Sequence, residues 1–360
     1  MPDIAVNNFR SRDARLAVKV ALLRDGMQLT PRARHEIAAR NRGAVGQSDY
    51  PTTTGITMRL PGDTYVTAPV REAARWTLDL ADDTLELSNG ETAIPAEALP
   101  LPTFYVPKGS SLDGVMTHAD RIRLSPVDGC AYGCAFCDSH ISSYRKRPTE
   151  SLLQAFRAAQ ADDGLRPRHV LISGGTPRPT DRDYLNNVFK TVLSESPLPV
   201  DIMLAPAGDL DTLRRLHEWG ASGIAINIEL FNPLYAERYC PEKAALGLAA
   251  YEAWIRLAVD LFGPGRVRSL LLLGLEPLDS TLAGVEFIAA LGADPVLSPL
   301  QPIVGMPEHS EVPPCESLSE TFNTASRITA AAGVKLGPRC IPCQHNALVI
   351  PDGSSDYYCS

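Results

Sequence analysis

The chain has 360 residues, 44% of them hydrophobic and 21% charged, with a formal net charge of −8. This length supports one large α/β domain with attachments or two ordinary domains, and the acidic balance excludes a domain-wide basic face, so no nucleic-acid partner is expected. The stretch from Met1 to Met27 carries charges through its only apolar run and has no small-residue cleavage site, so no signal peptide is read and a cytoplasmic location is expected.

Residues 1–115 are expected to form a small mixed α+β domain with a connector. Trp76 to Ile94 alternates apolar and polar residues around turn-forming Asp, Asn and Gly, as paired strands do. The Pro-rich stretch Ile94 to Ser110 predicts an extended connector, because proline withholds a backbone donor and disfavours helix. Residues 116–335 then alternate short apolar runs with helical patterns. RIRLSPV is followed by a helix from Thr149, HVLISGG by one from Thr180, and VDIMLAP by one from Asp209. GIAINIEL, RSLLLLGL and DPVLSPL supply three more strands, with helices from Ala244, near Leu282 to Leu291, and near Ser317 to Ala332. Asp209 or Asp211 can cap the third helix and Gly220 can stop it. The long apolar run Ala244 to Phe262 is interrupted at four-residue spacing by Glu252, Arg256 and Asp260, which makes it an amphipathic core helix and not a membrane span. Six βα units predict an α/β fold, a partial (βα)6 TIM-like barrel with its reactive end at the C-terminal edges of the strands. An open doubly wound sheet is the alternative.

Eight cysteines occur, none before Cys130, a skew that a disulfide framework does not explain. Cys130, Cys134 and Cys137 form a C-x3-C-x2-C array directly after the first barrel strand. Thiolates suit zinc and iron; a zinc site would recruit a fourth ligand such as His140, whereas an uneven triad suits a [4Fe–4S] cube with one iron left open. The array, with Phe136 before its third cysteine, resembles that of the radical S-adenosylmethionine (SAM) superfamily. The resemblance implies a cluster whose open iron is chelated by SAM, and reductive cleavage of SAM to a 5′-deoxyadenosyl radical that removes hydrogen from a small-molecule substrate. It also implies an electron donor such as flavodoxin or ferredoxin.

Other strand ends are then expected to hold SAM. Gly174 and Gly175, followed by Thr176, resemble the superfamily's glycine-rich motif, although Thr176 stands where an acidic residue is common. Asn227 and Glu229 share one face of the fourth strand, and Glu276 sits at the end of the fifth. These are candidate SAM contacts, with salt bridging to neighbouring Lys or Arg the alternative for both glutamates. Pro302, Gly305 and Pro307 resemble a P-x-x-G-T-P segment of biotin synthase and its relatives, with Met306 departing; Gly305 would flank the adenine. INIELF and RYCPEK also look like the biotin and lipoyl synthase group.

Residues 336–360 form a cysteine-rich tail in which Cys340, Cys343 and Cys359 read C-x2-C-x15-C beside His345. In a chain of this resemblance they imply a second [4Fe–4S] cluster, with His345 as an optional fourth ligand and sulfur insertion as one outcome. A zinc knuckle is the competing reading.

Overall fold

The computed structural model describes residues 9, 11–46, 55–106, 109–110, 112–115, 120–301 and 312–352. Two hydrophobic cores share one helix, α1 (Arg12–Asp25). Its first turn is capped by Ser11, whose hydroxyl accepts from the Ala14 N–H at 3.1 Å, a contact that contributes about 1 kcal/mol. Leu16 and Val20 enter the larger core, while Val18, Leu22 and Leu23 enter the smaller one. The helix stops at Gly26, φ 75°, where a β-carbon would lie 2.3 Å from the Pro69 carbonyl oxygen.

The smaller core lies among β1 (Met27–Leu29), α2 (Pro31–Arg40), β2 (Gly55–Leu60), β3 (Thr64–Pro69), β4 (Trp76–Ala81), β5 (Thr84–Ser88), β6 (Ala93–Pro95) and β7 (Glu97–Ala98). These strands form two sheets, ordered β1-β4-β5-β6 and β3-β2-β7. The alternation read from Trp76 onward is the β4–β5 hairpin, turned by Asp82 and Asp83 at φ 46° and 62°, a pair of left-handed residues that matches the twist of the flanking strands. The Pro-rich stretch differs from its expectation. It begins inside the two smaller sheets, because Ile94 pairs with Leu87 and Glu97 with Arg59 before the chain leaves them.

The larger core holds a six-stranded parallel sheet: β8 (Arg121–Leu124), β9 (His169–Ile172), β10 (Val200–Met203), β11 (Gly223–Ala225), β12 (Val267–Leu273) and β13 (Asp294–Pro299). Their spatial order is their chain order. A doubly wound sheet reverses strand order at a switch point; with no reversal, the fold is the partial barrel. The covering helices are α3 (Thr149–Gln160), α4 (Arg182–Glu195), α5 (Asp211–Glu218), α6 (Pro233–Tyr239), α7 (Pro241–Ala244), α8 (Leu248–Phe262), α9 (Leu278–Ala290) and α10 (Cys315–Ala331). Asp209 does serve as a cap, its carboxylate accepting from the Thr212 N–H at 3.1 Å. The run read as the fourth strand is regular only over β11. Past it, Glu229 turns to φ 70° and forms an isolated bridge to Leu271. Among the described residues no helix is long and apolar enough to cross a membrane.

An open barrel leaves its first and last strands with unpaired edges, which must be covered. At β8, Val115 bridges Leu124 and the Ser125 N–H donates to the Gly114 carbonyl at 2.7 Å. At β13, the C-terminal segment takes over: Gly337 N–H donates to Pro295 O at 2.9 Å and Leu348 N–H to Leu297 O at 2.7 Å. The tail is thus part of the barrel wall. It is held from the other side by Lys19, fully buried, whose ammonium donates to the Gln344 and Val349 carbonyls at 2.8 Å each.

Burial pushes Lys19 down to about 7, below the value near 10.4 of a free lysine. Between those values the unfolded chain carries the extra proton, so stability is lowest below the folded value and rises with pH through the window. Lys19→Met is expected to flatten this rise and to cost about 1–3 kcal/mol once the lysine would be neutral, because two buried carbonyls lose their donor. Urea unfolding over about pH 7–10 checks both effects; an unchanged pH slope contradicts the assignment.

Candidate functional site

The six strands enclose a cavity of about 300 Å³. Alternate residues face it, as strand periodicity requires. Near the strands' N-terminal ends stand Arg121, His169, Asp201, Arg268 and Asp294; above them lie Arg123, Leu171, Met203, Leu270 and Val296; above those lie Ser173, Asn227, Leu272 and Ser298. The lowest layer is ionic. Arg268 pairs with Asp201 at 2.6 Å, and Arg339 of the tail pairs with Asp294 at 2.5 Å. Both aspartates are 2% exposed at the side chain, so removing either arginine would strand a buried charge.

At the C-terminal end, β8 leads into a loop that opens and closes through a short antiparallel pair, Val127–Asp128 with Arg145–Lys146. The loop carries Cys130, Cys134 and Cys137. Gly129 starts it at φ 67°, a left-handed turn that only glycine adopts freely. The glycine segment after β9 packs directly against it. The Thr176 N–H donates to Cys130 Sγ at 3.1 Å, the Tyr132 N–H donates to the same sulfur at 3.3 Å, and the Ala131 N–H donates to the Thr176 carbonyl at 2.8 Å. A β-carbon on Gly175 would sit 1.8 Å from the Gly129 carbonyl oxygen, and one on Gly174 (φ 134°) would sit 2.7 Å from Ser125 Oγ. Gly174 lines the cavity. The glycines therefore let the second strand's turn touch the cysteine loop.

Cys134 is buried in an apolar cluster with Leu230, Tyr239, Cys240, Leu272 and Leu300, and Cys137 and Phe136 line the cavity mouth. Burial pushes the Cys134 and Cys137 thiols up from their usual value, with Ser139 partly offsetting this at Cys137. His140, the zinc alternative for this triad, is exposed. Three sulfurs, one of them accepting two backbone N–H bonds, fit a [4Fe–4S] cluster: its sulfurs are tuned by such donors and its fourth iron takes an external ligand.

Asn227 and Glu229 line the cavity. Each also has a structural partner. Asn227 Oδ1 accepts from the Leu270 N–H at 3.2 Å, and Glu229 pairs with Lys243 at 2.7 Å with both side chains 13% exposed. Burial works against the Lys243 charge, but Glu229 holds it protonated and its value raised. The salt-bridge alternative is realised at Glu229 by a lysine that sequence spacing did not single out. Glu276 departs from its expected place. Its oxygens accept from the Asn232 N–H at 2.8 Å and the Thr281 hydroxyl at 3.0 Å, away from the cavity lining, so it braces the turn between β12 and α9. Burial raises its carboxyl, and those donors limit the rise. Gly305, with Pro302, Met306 and Pro307, lies outside the described residues.

At the other end of the cavity, Cys340 and Cys343 meet Asp120 and His169, residues that sequence reasoning missed. The four ligand atoms all lie within 4.8 Å of one another, and all four residues are buried. The only signal was position: Asp120 and His169 stand at the starts of adjacent strands. Cys343 is held well below the usual thiol range by a hydrogen bond from Cys340, against burial and with help from His169 and Arg121; His169 is raised to about 9 by Cys343 and Asp120 despite burial. His345, the expected optional ligand, turns instead to Thr67 of β3, with Nδ1 2.9 Å from its hydroxyl. Cys359 lies outside the described residues.

A three-cysteine loop at the C-terminal end of a partial barrel, above a ligand-sized cavity, defines a class of iron–sulfur barrel proteins. Residues 124–246 match the Radical SAM superfamily, and the chain carries a radical SAM domain. Bacteriochlorophyllide c C-7(1)-hydroxylase of Chlorobaculum limnaeum is 29% identical over 210 residues, 51% of this chain and 51% of that protein. The chain thus spans about half the length of this curated relative. Among solved structures, the FeFe-hydrogenase maturase HydG from Carboxydothermus hydrogenoformans aligns over 62% of this chain and 55% of its own, at 17% identity and a TM-score of 0.49. A radical SAM methyltransferase from Sphaerobacter thermophilus aligns over 72% and 76%, at 18% identity and a TM-score of 0.46. Methylornithine synthase (PylB) aligns over 61% and 72%, at 15% identity and a TM-score of 0.47.

Gly175→Ala is expected to force the cysteine loop away from the turn after β9 and to lower reconstituted iron and sulfide to less than about half of the normal content, because backbone cannot yield as a side chain can. Iron and labile-sulfide analysis after anaerobic reconstitution checks it; full incorporation contradicts the packing role.

Proposed function

We propose that this protein is a radical SAM enzyme that removes a hydrogen atom from a compact small molecule bound in the barrel cavity. The observation that carries the reading is the contact of Cys130 with the Thr176 N–H, which joins the three-cysteine loop and the glycine turn into one site above that cavity. Cys130, Cys134 and Cys137 would hold the cluster, and the cluster with SAM supplies one-electron cleavage of SAM to a 5′-deoxyadenosyl radical.

The chain's own residues then position and shield. Gly174 and Gly175 give close backbone approach at the mouth, and with Thr176 in place of the acidic residue common at this position, a hydroxyl or backbone carbonyls would meet the amino group of SAM. Asn227 and the Glu229–Lys243 pair supply fixed polar groups on the neighbouring strand. Leu171, Met203, Leu270, Leu272 and Val296 form an apolar belt that excludes water from the path of a carbon radical. An external reductant, flavodoxin or ferredoxin in kind, would supply the electron. The similarity to a hydroxylase supports oxidation at a carbon centre as the outcome.

Sulfur insertion is a second reading, favoured by the presence of Cys340 and Cys343 in the same cavity lining as Cys137. It requires a cluster at those cysteines with a sulfide to surrender. Counting sulfur incorporated into product per chain distinguishes the two outcomes.

Cys134→Ala is expected to abolish formation of 5′-deoxyadenosine under reducing conditions, measured by chromatography. Retained formation would overturn the assignment of the cluster to this loop.

A further inference from the structure

We infer that Asp120, His169, Cys340 and Cys343 form a mononuclear binding site for a divalent cation of the zinc type, and that this ion clasps the C-terminal tail across the N-terminal mouth of the barrel. The inference is independent of the radical reading and concerns the opposite end of the cavity.

The distances decide between one ion and a cluster. His169 Nε2 lies 3.4 Å from Cys340 Sγ and 3.3 Å from Cys343 Sγ, and Asp120 Oδ1 lies 3.7 Å from Cys340 Sγ and 3.6 Å from His169 Nε2. Metal–ligand bonds of about 2.0–2.3 Å at tetrahedral angles place neighbouring ligand atoms roughly 3.3–3.8 Å apart. Four of the six separations match the edges of such a tetrahedron, and all six lie within 4.8 Å. A four-iron cube interposes iron and bridging sulfide between its protein ligands and holds them well beyond this range. The donor set agrees, since two thiolates, an imidazole and a carboxylate suit zinc and give a four-coordinate site closed by protein alone.

The surroundings are built to orient these ligands. Arg168 holds the second oxygen of Asp120, with Nε at 2.6 Å, which leaves Oδ1 turned to the cysteines. Arg121 places a guanidinium nitrogen 3.7 Å from Cys343 Sγ, and this offsets the excess negative charge of two thiolates and a carboxylate around a divalent ion. Such outer contacts fix ligand geometry and affinity.

The position gives the ion its role. Asp120 and His169 stand at the start of β8 and β9, at one side of the barrel opening, while the tail that carries the two cysteines hydrogen-bonds to β13 at the other. A metal bond to both halves ties the first strands to the last. Because all four positions are taken by protein, the ion is structural, and it has no bridging sulfide to donate; on this inference the sulfur-insertion reading fails.

Anaerobically purified protein should contain about one zinc per chain in addition to the iron and sulfide of the first cluster. His169→Ala and Cys343→Ser should each lose that zinc and keep the iron and sulfide at the Cys130 loop. Should either variant fail to fold, cobalt exchanged into the wild-type chain decides: tetrahedral ligand-field bands together with thiolate charge transfer support the site, and their absence overturns it. Iron and labile sulfide beyond the first cluster that disappear in Cys343→Ser, or full zinc retention in His169→Ala, would also overturn it. Formation of 5′-deoxyadenosine, assayed on the same samples, reports the first cluster separately, so failure of the one assignment is distinguishable from failure of the other.

Discussion

Six parallel strands curl into a barrel but do not close it, and the seam between β8 and β13 governs the rest of the architecture. Each edge would present unpaired backbone groups to water or to another chain. The chain resolves this from both ends. Residues 114 and 115 bond along β8, the tail bonds along β13, and strand β3 of the smaller core packs against the tail's turn at Pro342–Asn346. This explains why α1 serves two cores and why a lysine is buried in it. Lys19 holds the tail from the side of the smaller core, where a hydrophobic residue would leave two carbonyls without a donor.

Closing the seam with segments outside the sheet gives the cavity two chemically different ends. At the C-terminal edges of the strands, loops are long enough to carry ligands, and two of them are forced into contact by glycines: the cysteine loop after β8 and the turn after β9. At the N-terminal edges the connections are used for sealing. Ion pairs of Asp201 with Arg268 and Asp294 with Arg339 fill the base, beside the Asp120, His169, Cys340 and Cys343 group. Between these ends Leu171, Met203, Leu270, Leu272 and Val296 form a mostly apolar belt, interrupted by Arg123, whose guanidinium donates to Ser173 Oγ at 2.9 Å. This division follows the general rule that barrel function gathers at the strands' C-terminal ends and stability at the other.

The barrel was legible in the sequence because its signal is periodic: six apolar runs, each followed by a helical pattern, appear in order and lie in the sheet in that order. The cysteine loop and glycine turn were legible because their spacing is local. What escaped was non-local. Glu276 reads like a site residue at a strand end, yet its burial is answered by Asn232 at the start of α6 and Thr281 in the first turn of α9. Lys243, fourteen residues after Glu229, becomes its partner only because α7 returns over the strand. His169 looks like an ordinary strand residue, and nothing in its neighbours announces cysteines 171 and 174 positions away. The sequence reading sought partners for Cys340 and Cys343 nearby, at His345, whereas the barrel brings Asp120 and His169 of the first two strands beside them.

The claim on which the account rests is that SAM binds directly to a cluster held by Cys130, Cys134 and Cys137. Electron paramagnetic resonance of the reduced protein, recorded with and without SAM, tests it most directly. Ligation of the open iron predicts a change in the g values of the reduced cluster on adding SAM, and hyperfine coupling to isotope-labelled SAM nitrogen and carboxylate. A cluster signal indifferent to SAM, with no such coupling, would contradict it.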